Sequence, residues 1–279
     1  MRGRNHRVWL LTGVHGPPPI ITRNLAMFLR ILTCLFVAVA SMVWLPRTAC
    51  AETELLVSGA ASLTESFKEI GIAFAAKNPG VKVRFNFAGS GPLLQQIIQG
   101  APVDLFASAD QETMDKAEKG GFVLPGSRMN FTGNSLVLIT PVNMSAVTGL
   151  IDLRSSRVQR IAMANPASVP AGRYAKAALE KQGLWEALAP KCVMGISVKQ
   201  ALEYVLRGEV EAGFVFATDG AAAKDKVRVV AQIPTAEPIV YPVALVAAST
   251  NKAKGQVFIQ YLRSPEAQAI FAKHGFIKP

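Results

Sequence analysis

Apolar and polar positions beyond residue 51 switch repeatedly between two periods. Short apolar or alternating runs read as strands, and runs with apolar residues three and four apart read as helices. The first pair sets the form. Leu55-Leu56-Val57 is a buried-looking strand, Ser58-Gly59-Ala60-Ala61 is a small-residue turn, and residues 62–77 carry Leu63, Phe67, Ile70, Phe74 and Ala75 at close to helical spacing. The form repeats in the alternating strand 81–87, the turn Ala88-Gly89-Ser90-Gly91-Pro92 and a helix over 93–99, with Pro92 suited to a first helical position. It repeats again in the strand 103–107 and an acidic helix start at 108–112 that runs to Gly120-Gly121. Residues 134–141 form a fourth strand.

The pattern then restarts. A strand over 160–164, a turn over 165–172 and a helix over 173–189 precede a short strand, 192–194. Gly195-Ile196-Ser197-Val198 leads into a helix closed by Gly208, and strands follow at 212–216 and 227–231. In the strand 240–246, Pro242 requires a bulge or an edge. A long amphipathic helix over 252–274 is interrupted at Ser264-Pro265.

Strands alternating with helices imply parallel strands joined by right-handed crossovers. The order predicts an α/β protein of two lobes, each a mostly parallel sheet flanked by helices. Lobe I takes residues 52–132 plus 238–279 and lobe II takes 133–237, with crossings near 133 and 234 that could act as a hinge. Facing strand ends would form a cleft, the place where open α/β sheets bind ligands.

Residues 1–51 stand apart. From Leu29 to Leu45 the chain is apolar except for Arg30, and it leaves this run through Pro46-Arg47-Thr48-Ala49-Cys50-Ala51. Ala49 and Ala51 fit a signal-peptidase site, so the stretch reads as a leader cut after Ala51 and the rest as a periplasmic chain. The apolar run is short for a membrane anchor. Arg47, three residues before Cys50, argues against a lipoprotein signal. Residues 1–26 read as sequence upstream of a start at Met27.

Removing the leader changes the chemistry on offer. It carries six of the 30 basic residues and none of the 19 acidic ones, leaving 24 against 19 and a net charge of +5 rather than +11. No basic cluster with interleaved aromatics remains, so nucleic acid is not an expected partner. Cys192 is the one cysteine left and His274 the one histidine, which argues against a disulfide, a cysteine or multi-histidine metal site and a histidine-dependent triad. His274 reads as a charge at a helix C-terminus, and the stretch 224–228 as a solvated face.

Four turns share a character. Ser62, Ser90, Ala171 and Val198 each sit just before or in the first turn of a helix among small neighbours. Each alone is accounted for as a cap or a tight connection. Together on facing lobes they would bring two hydroxyls and several free helix N–H groups to one place, a donor set suited to an anion. Arg173 and Lys199 are close by in sequence but outside these turns. Donors without an acceptor suit an oxyanion that carries no proton, whereas hydrogen phosphate would need a carboxylate.

Seven segments together carry a resemblance. They are Ala60-Ala61-Ser62-Leu63-Thr64, Phe87-Ala88-Gly89-Ser90, residues 101–110, Gly133-Asn134-Ser135-Leu136-Val137, residues 169–175, residues 213–219 and Tyr241-Pro242-Val243-Ala244. In this order, spanning nearly all of 54–279, the chain resembles the periplasmic molybdate-binding proteins of molybdate ABC transporters, a type II periplasmic binding fold. The resemblance implies a tetrahedral molybdate or tungstate, bound as cargo with no cofactor. Hydroxyls of Ser62 and Ser90 and backbone N–H groups of Ser62, Ser90, Ala171 and Val198 would hold it. It also implies an inner-membrane permease with a cytoplasmic ATPase as partner, and a monomer. One position departs: where the family commonly has a tyrosine hydroxyl on the anion, this chain has Phe216.

Three other functions compete. A carrier of sulfate or thiosulfate would share the fold. A serine enzyme is disfavoured because neither Ser62 nor Ser90 has a histidine nearby or a Ser-x-x-Lys pattern. A regulator's sensing domain is disfavoured by the leader and by the lack of a DNA-binding motif.

Overall fold

The structure is a computed structural model that describes Phe28, Leu32 and residues 53–279 except Ser145. The expected leader and its cleavage site lie, but for Phe28 and Leu32, outside the described residues. The remainder, Ala51–Pro279, is one compact unit.

Among the described residues, ten strands form two five-stranded sheets. The first contains β1 (Thr53–Ala60), β2 (Val81–Ala88), β3 (Leu105–Ala107), β4 (Met129–Asn134) and β10 (Ile239–Leu245), in the order β2-β1-β3-β10-β4. The second contains β5 (Leu136–Pro141), β6 (Ile161–Ala164), β7 (Cys192–Gly195), β8 (Ala212–Phe216) and β9 (Val227–Ile233), in the order β7-β6-β8-β5-β9. β1 pairs in parallel with β2 and β3, and β6 with β7 and β8. β10 runs antiparallel to both of its neighbours, and so does β5. In each sheet the one reversed strand is therefore the one that has just arrived from the other sheet. Apart from β1, which comes first, the remaining strands follow helical connections, which keep them parallel.

Helices α1 (Thr64–Lys77), α2 (Ser90–Ile98) and α3 (Gln111–Lys119) serve the first sheet, joined later by α8 (Lys252–Tyr261) and α9 (Pro265–Lys273). The second sheet has α4 (Pro170–Lys181), α5 (Trp185–Leu188), α6 (Val198–Leu206) and α7 (Ala217–Ala222). Phe67 and Phe74 on α1 pack against Phe131, Phe258 and Phe271 with ring centroids 5.0–6.2 Å apart, within the range of favourable aromatic pairing.

Two expectations need correction. The single strand over 134–141 is the end of β4 and the whole of β5, in different sheets, with only Ser135 between them. The Asn134 side chain makes this possible: its Oδ1 accepts the Ser135 N–H at 2.9 Å as the chain leaves the first sheet. The helix expected over 173–189 starts earlier, at Pro170, and breaks into α4 and α5 at Gly183, whose φ of +67° suits glycine. The bulge expected at Pro242 is present, on the central strand β10. Register against β4 shifts between Tyr241 and Pro242, so a bulge absorbs the missing N–H, while the Pro242 carbonyl still accepts from Ser108 at 2.9 Å.

Candidate functional site

The ends of β1, β2, β6, β7 and β8 deliver the small-residue turns to one place. Ser62 lies in a short 3-10 turn, Ala61–Leu63, before α1. It does not cap α1; its Oγ lies 2.9 Å from the hydroxyl of Tyr241 on β10. Ser90 is the first residue of α2, and its Oγ accepts the Ala109 N–H at 3.1 Å. Ala171 is the second residue of α4, behind Pro170. α4 begins so close to β6 that a Cβ on Gly172 would stand 2.1 Å from the Ala164 carbonyl oxygen. Val198 opens α6, with Ser197 as its cap accepting from the Gln200 N–H at 3.2 Å. Phe216 ends β8.

All five residues line one small cavity of about 10 Å³, room for a single water-sized body, together with Ala60, Gly89, Ala109 and Pro170. Ser62 and Ser90 stand on the first-sheet wall and Ala171, Val198 and Phe216 on the second. None of the five is more than 6% exposed. The walls meet directly: Gly91 N–H donates to the Ser168 carbonyl at 3.0 Å. First-turn amides such as those of Ser90, Ala171 and Val198 have no acceptor within their own helices, so they are donors in waiting.

No charged side chain lines this cavity. The two nearby cations are engaged elsewhere. Arg173 reaches across to Asp110 Oδ2, with Nε at 3.0 Å, and to Thr113 Oγ1 at 2.6 Å. Lys199 lies 3.3 Å from buried Asp219. Burial pushes the Asp219 pKa up, and Lys199 opposes that shift. Two larger hollows, of about 580 and 530 Å³, hold Asp104 and Asp110, whose carboxylates are already bound. Asp104 accepts from the Leu56 N–H and the Ser249 hydroxyl, and Asp110 from Arg173. Among the described residues no cluster of His, Cys, Asp and Glu is placed to hold a metal ion.

Behind Ser62 lies a group that sequence reasoning missed. Tyr241 OH receives Asn134 Nδ2 at 3.2 Å, and the same amide donates to Thr218 Oγ1 at 3.0 Å. These residues stand 107 and 84 positions apart in the chain, so no local pattern announces them. The one usable signal was a tyrosine in an otherwise apolar strand, whose buried hydroxyl must find a partner.

A family model described as bacterial extracellular solute-binding protein matches residues 55–277. The chain belongs to that family. This solute-binding protein is 39% identical over 232 residues to the molybdate-binding protein ModA of Escherichia coli, covering 81% of this chain and 89% of that one. It is 34% identical over 233 residues to ModA of Haemophilus influenzae, covering 81% and 91%. Among solved structures, the periplasmic molybdate-binding protein of Azotobacter vinelandii superposes with a TM-score of 0.73 at 29% identity, covering 81% and 99%. The fold of this solute-binding protein is the type II periplasmic binding fold.

Proposed function

We propose that this solute-binding protein captures molybdate, and tungstate with it, and hands the anion to an ABC permease in the inner membrane driven by a cytoplasmic ATPase. One observation carries the reading: two serine hydroxyls and first-turn helix amides meet on opposite walls of a buried cavity with no carboxylate. Ser62 and Ser90 would donate through hydroxyl and N–H, and Ala171 and Val198 through N–H alone. Such donors replace the water shell of a divalent anion, each charge-assisted bond contributing roughly 1.5–3 kcal/mol. Relatives at 34–39% identity carry molybdate in their names, which favours this anion over sulfate or thiosulfate.

Residues this buried are reached only if the walls part. Lobes of 52–132 plus 238–279 and of 133–237 would separate about crossings near 133 and 234, the places where β4 gives way to β5 and β9 to β10. Export through a leader cut after Ala51 places the working chain in the periplasm, as a monomer. Catalysis is not its role. Ser62 and Ser90 bond to Tyr241 and to a backbone amide, neither of which is a base, and His274 bonds to Glu69.

Calorimetric titration with molybdate, repeated in excess sulfate, tests the assignment. Tight one-to-one binding that sulfate leaves intact is the expected result. Equal competition by sulfate overturns the choice of anion, and no heat with either overturns the reading as a whole.

A further inference from the structure

We propose that Tyr241 is a positioning residue that fixes the Ser62 hydroxyl as a donor into the cavity, so that the site favours oxyanions carrying no proton. The inference rests on the oxyanion reading above and goes beyond it to a residue that does not line the cavity.

A chain of hydrogen bonds fixes where each proton goes. It begins at a group whose direction is not in doubt. The Ser135 N–H can only donate, and it donates to Asn134 Oδ1 at 2.9 Å. This sets which end of the Asn134 amide is which. The opposite end, Nδ2, carries two hydrogens and no acceptor. It meets Thr218 Oγ1 at 3.0 Å and Tyr241 OH at 3.2 Å. Tyr241 oxygen therefore accepts from Asn134, and its single proton must go elsewhere. Its one remaining hydrogen-bond neighbour among the described residues is Ser62 Oγ at 2.9 Å. Ser62 is thus an acceptor on its inner side. Tyr241 is also the only hydrogen-bond partner of Ser62 Oγ among the described residues, so the serine's own proton is left for the cavity.

Two further observations agree. Tyr241 is fully buried, and burial pushes its pKa well above the usual tyrosine value, so the proton on which the chain depends stays in place. Ser90 is set by the same logic from the other side: its Oγ accepts the Ala109 N–H at 3.1 Å, a donor that cannot reverse. Both hydroxyls then present their protons to the cavity, and a protonated anion would bring a further hydrogen to a site whose fixed groups are already donors. Rejection of such an anion is worth a great deal, because a buried polar hydrogen left unpaired is costly.

The test is a double-mutant cycle on the full protein, with Tyr241→Phe, Ser62→Ala and the double variant, each titrated with molybdate and with inorganic phosphate, and each checked by a melting curve. Tyr241→Phe is expected to weaken molybdate on the order of five- to tenfold. The same substitution is expected to have no effect on binding once Ser62 is alanine, because the tyrosine acts through that hydroxyl. The preference for molybdate over phosphate should also narrow in Tyr241→Phe, since Ser62 is then free to turn. Asn134→Asp supplies a second route: a carboxylate there accepts Tyr241's proton, reverses the chain and draws Ser62's proton away from the cavity, weakening molybdate more than Tyr241→Phe does. Wild-type affinity in Tyr241→Phe, or an equal loss with and without Ser62, overturns the positioning role. Failure of the wild-type protein to bind molybdate overturns the functional reading instead, and the wild-type titration alone separates the two failures.

Discussion

Arg173 on α4 lies with its Nε 3.0 Å from Asp110 Oδ2, joining the second sheet's first helix to the cap residue of α3 on the first. Asp110 is 3% exposed and also holds the Thr113 N–H at 3.1 Å. In the closed arrangement the pair is a bridge across the cavity's rim. Arg173→Ala leaves the carboxylate unpaired there, but parting of the walls would give it water, so the cost falls on closure more than on folding. Calorimetry should show molybdate affinity falling roughly 10- to 100-fold, the range for one lost charged hydrogen bond. Arg173→Lys should recover part of it, because a lysine keeps the charge but not the forked geometry.

Closure can also be tested sterically. A Cβ on Gly91 would stand 2.2 Å from the Ser168 carbonyl oxygen, on the opposite wall. Gly91→Ala therefore wedges the walls apart. Molybdate affinity is expected to drop at least tenfold, while the melting temperature of the ligand-free protein changes little. An equal loss in both measurements would mean that the alanine disturbs α2 itself.

The residues legible in the sequence were those with a local signature. Ser62, Ser90, Ala171 and Val198 each announce themselves by a small-residue turn after a strand and before a helix, and the structure brings them to one cavity with Phe216. Strand and helix alternation likewise foretold a doubled α/β arrangement. Pairings across large sequence separations left no such trace. Nothing near Tyr241 points to Ser62, 179 residues away, and nothing near Arg173 points to Asp110, 63 residues away. β4 was missed for a related reason: Met129–Asn134 mixes polar and apolar residues, and two of them are asparagines, which are poor strand formers outside the tertiary setting that pairs them with β10.

Phe216 stands where the resemblance implies a tyrosine hydroxyl on the anion. Its ring is 1% exposed, lines the cavity and lies 5.8 Å from Tyr241, so a hydroxyl added to it would join the donor set. Phe216→Tyr is expected to tighten molybdate by about 1–3 kcal/mol, the value of one more bond to an anion. Titration of the variant beside the wild type decides it, and unchanged affinity would mean that no contact is missing.

Asp219 makes stability depend on pH in a direction opposite to that of most carboxylates. The side chain is 1% exposed, neither oxygen has a well-aligned hydrogen bond, and Lys199 at 3.3 Å is its one ion-pair partner among the described residues. Burial raises its folded pKa above the ordinary 3.8. The folded state therefore holds this proton more tightly than the unfolded chain does. Between the two pKa values the native state binds more protons, and linkage makes stability fall as pH rises through that window. Above the folded pKa the penalty is fully present; below 3.8 it is absent. Asp219→Asn removes the charge and keeps the shape, and Lys199, about one-third exposed, can turn to water. The variant should therefore melt a few degrees higher than the wild type near neutral pH. The gap should close as pH is lowered toward 4. A gap that is constant with pH would show that the gain comes from packing, and a lower melting temperature at neutral pH would show that the pair with Lys199 outweighs the desolvation it requires.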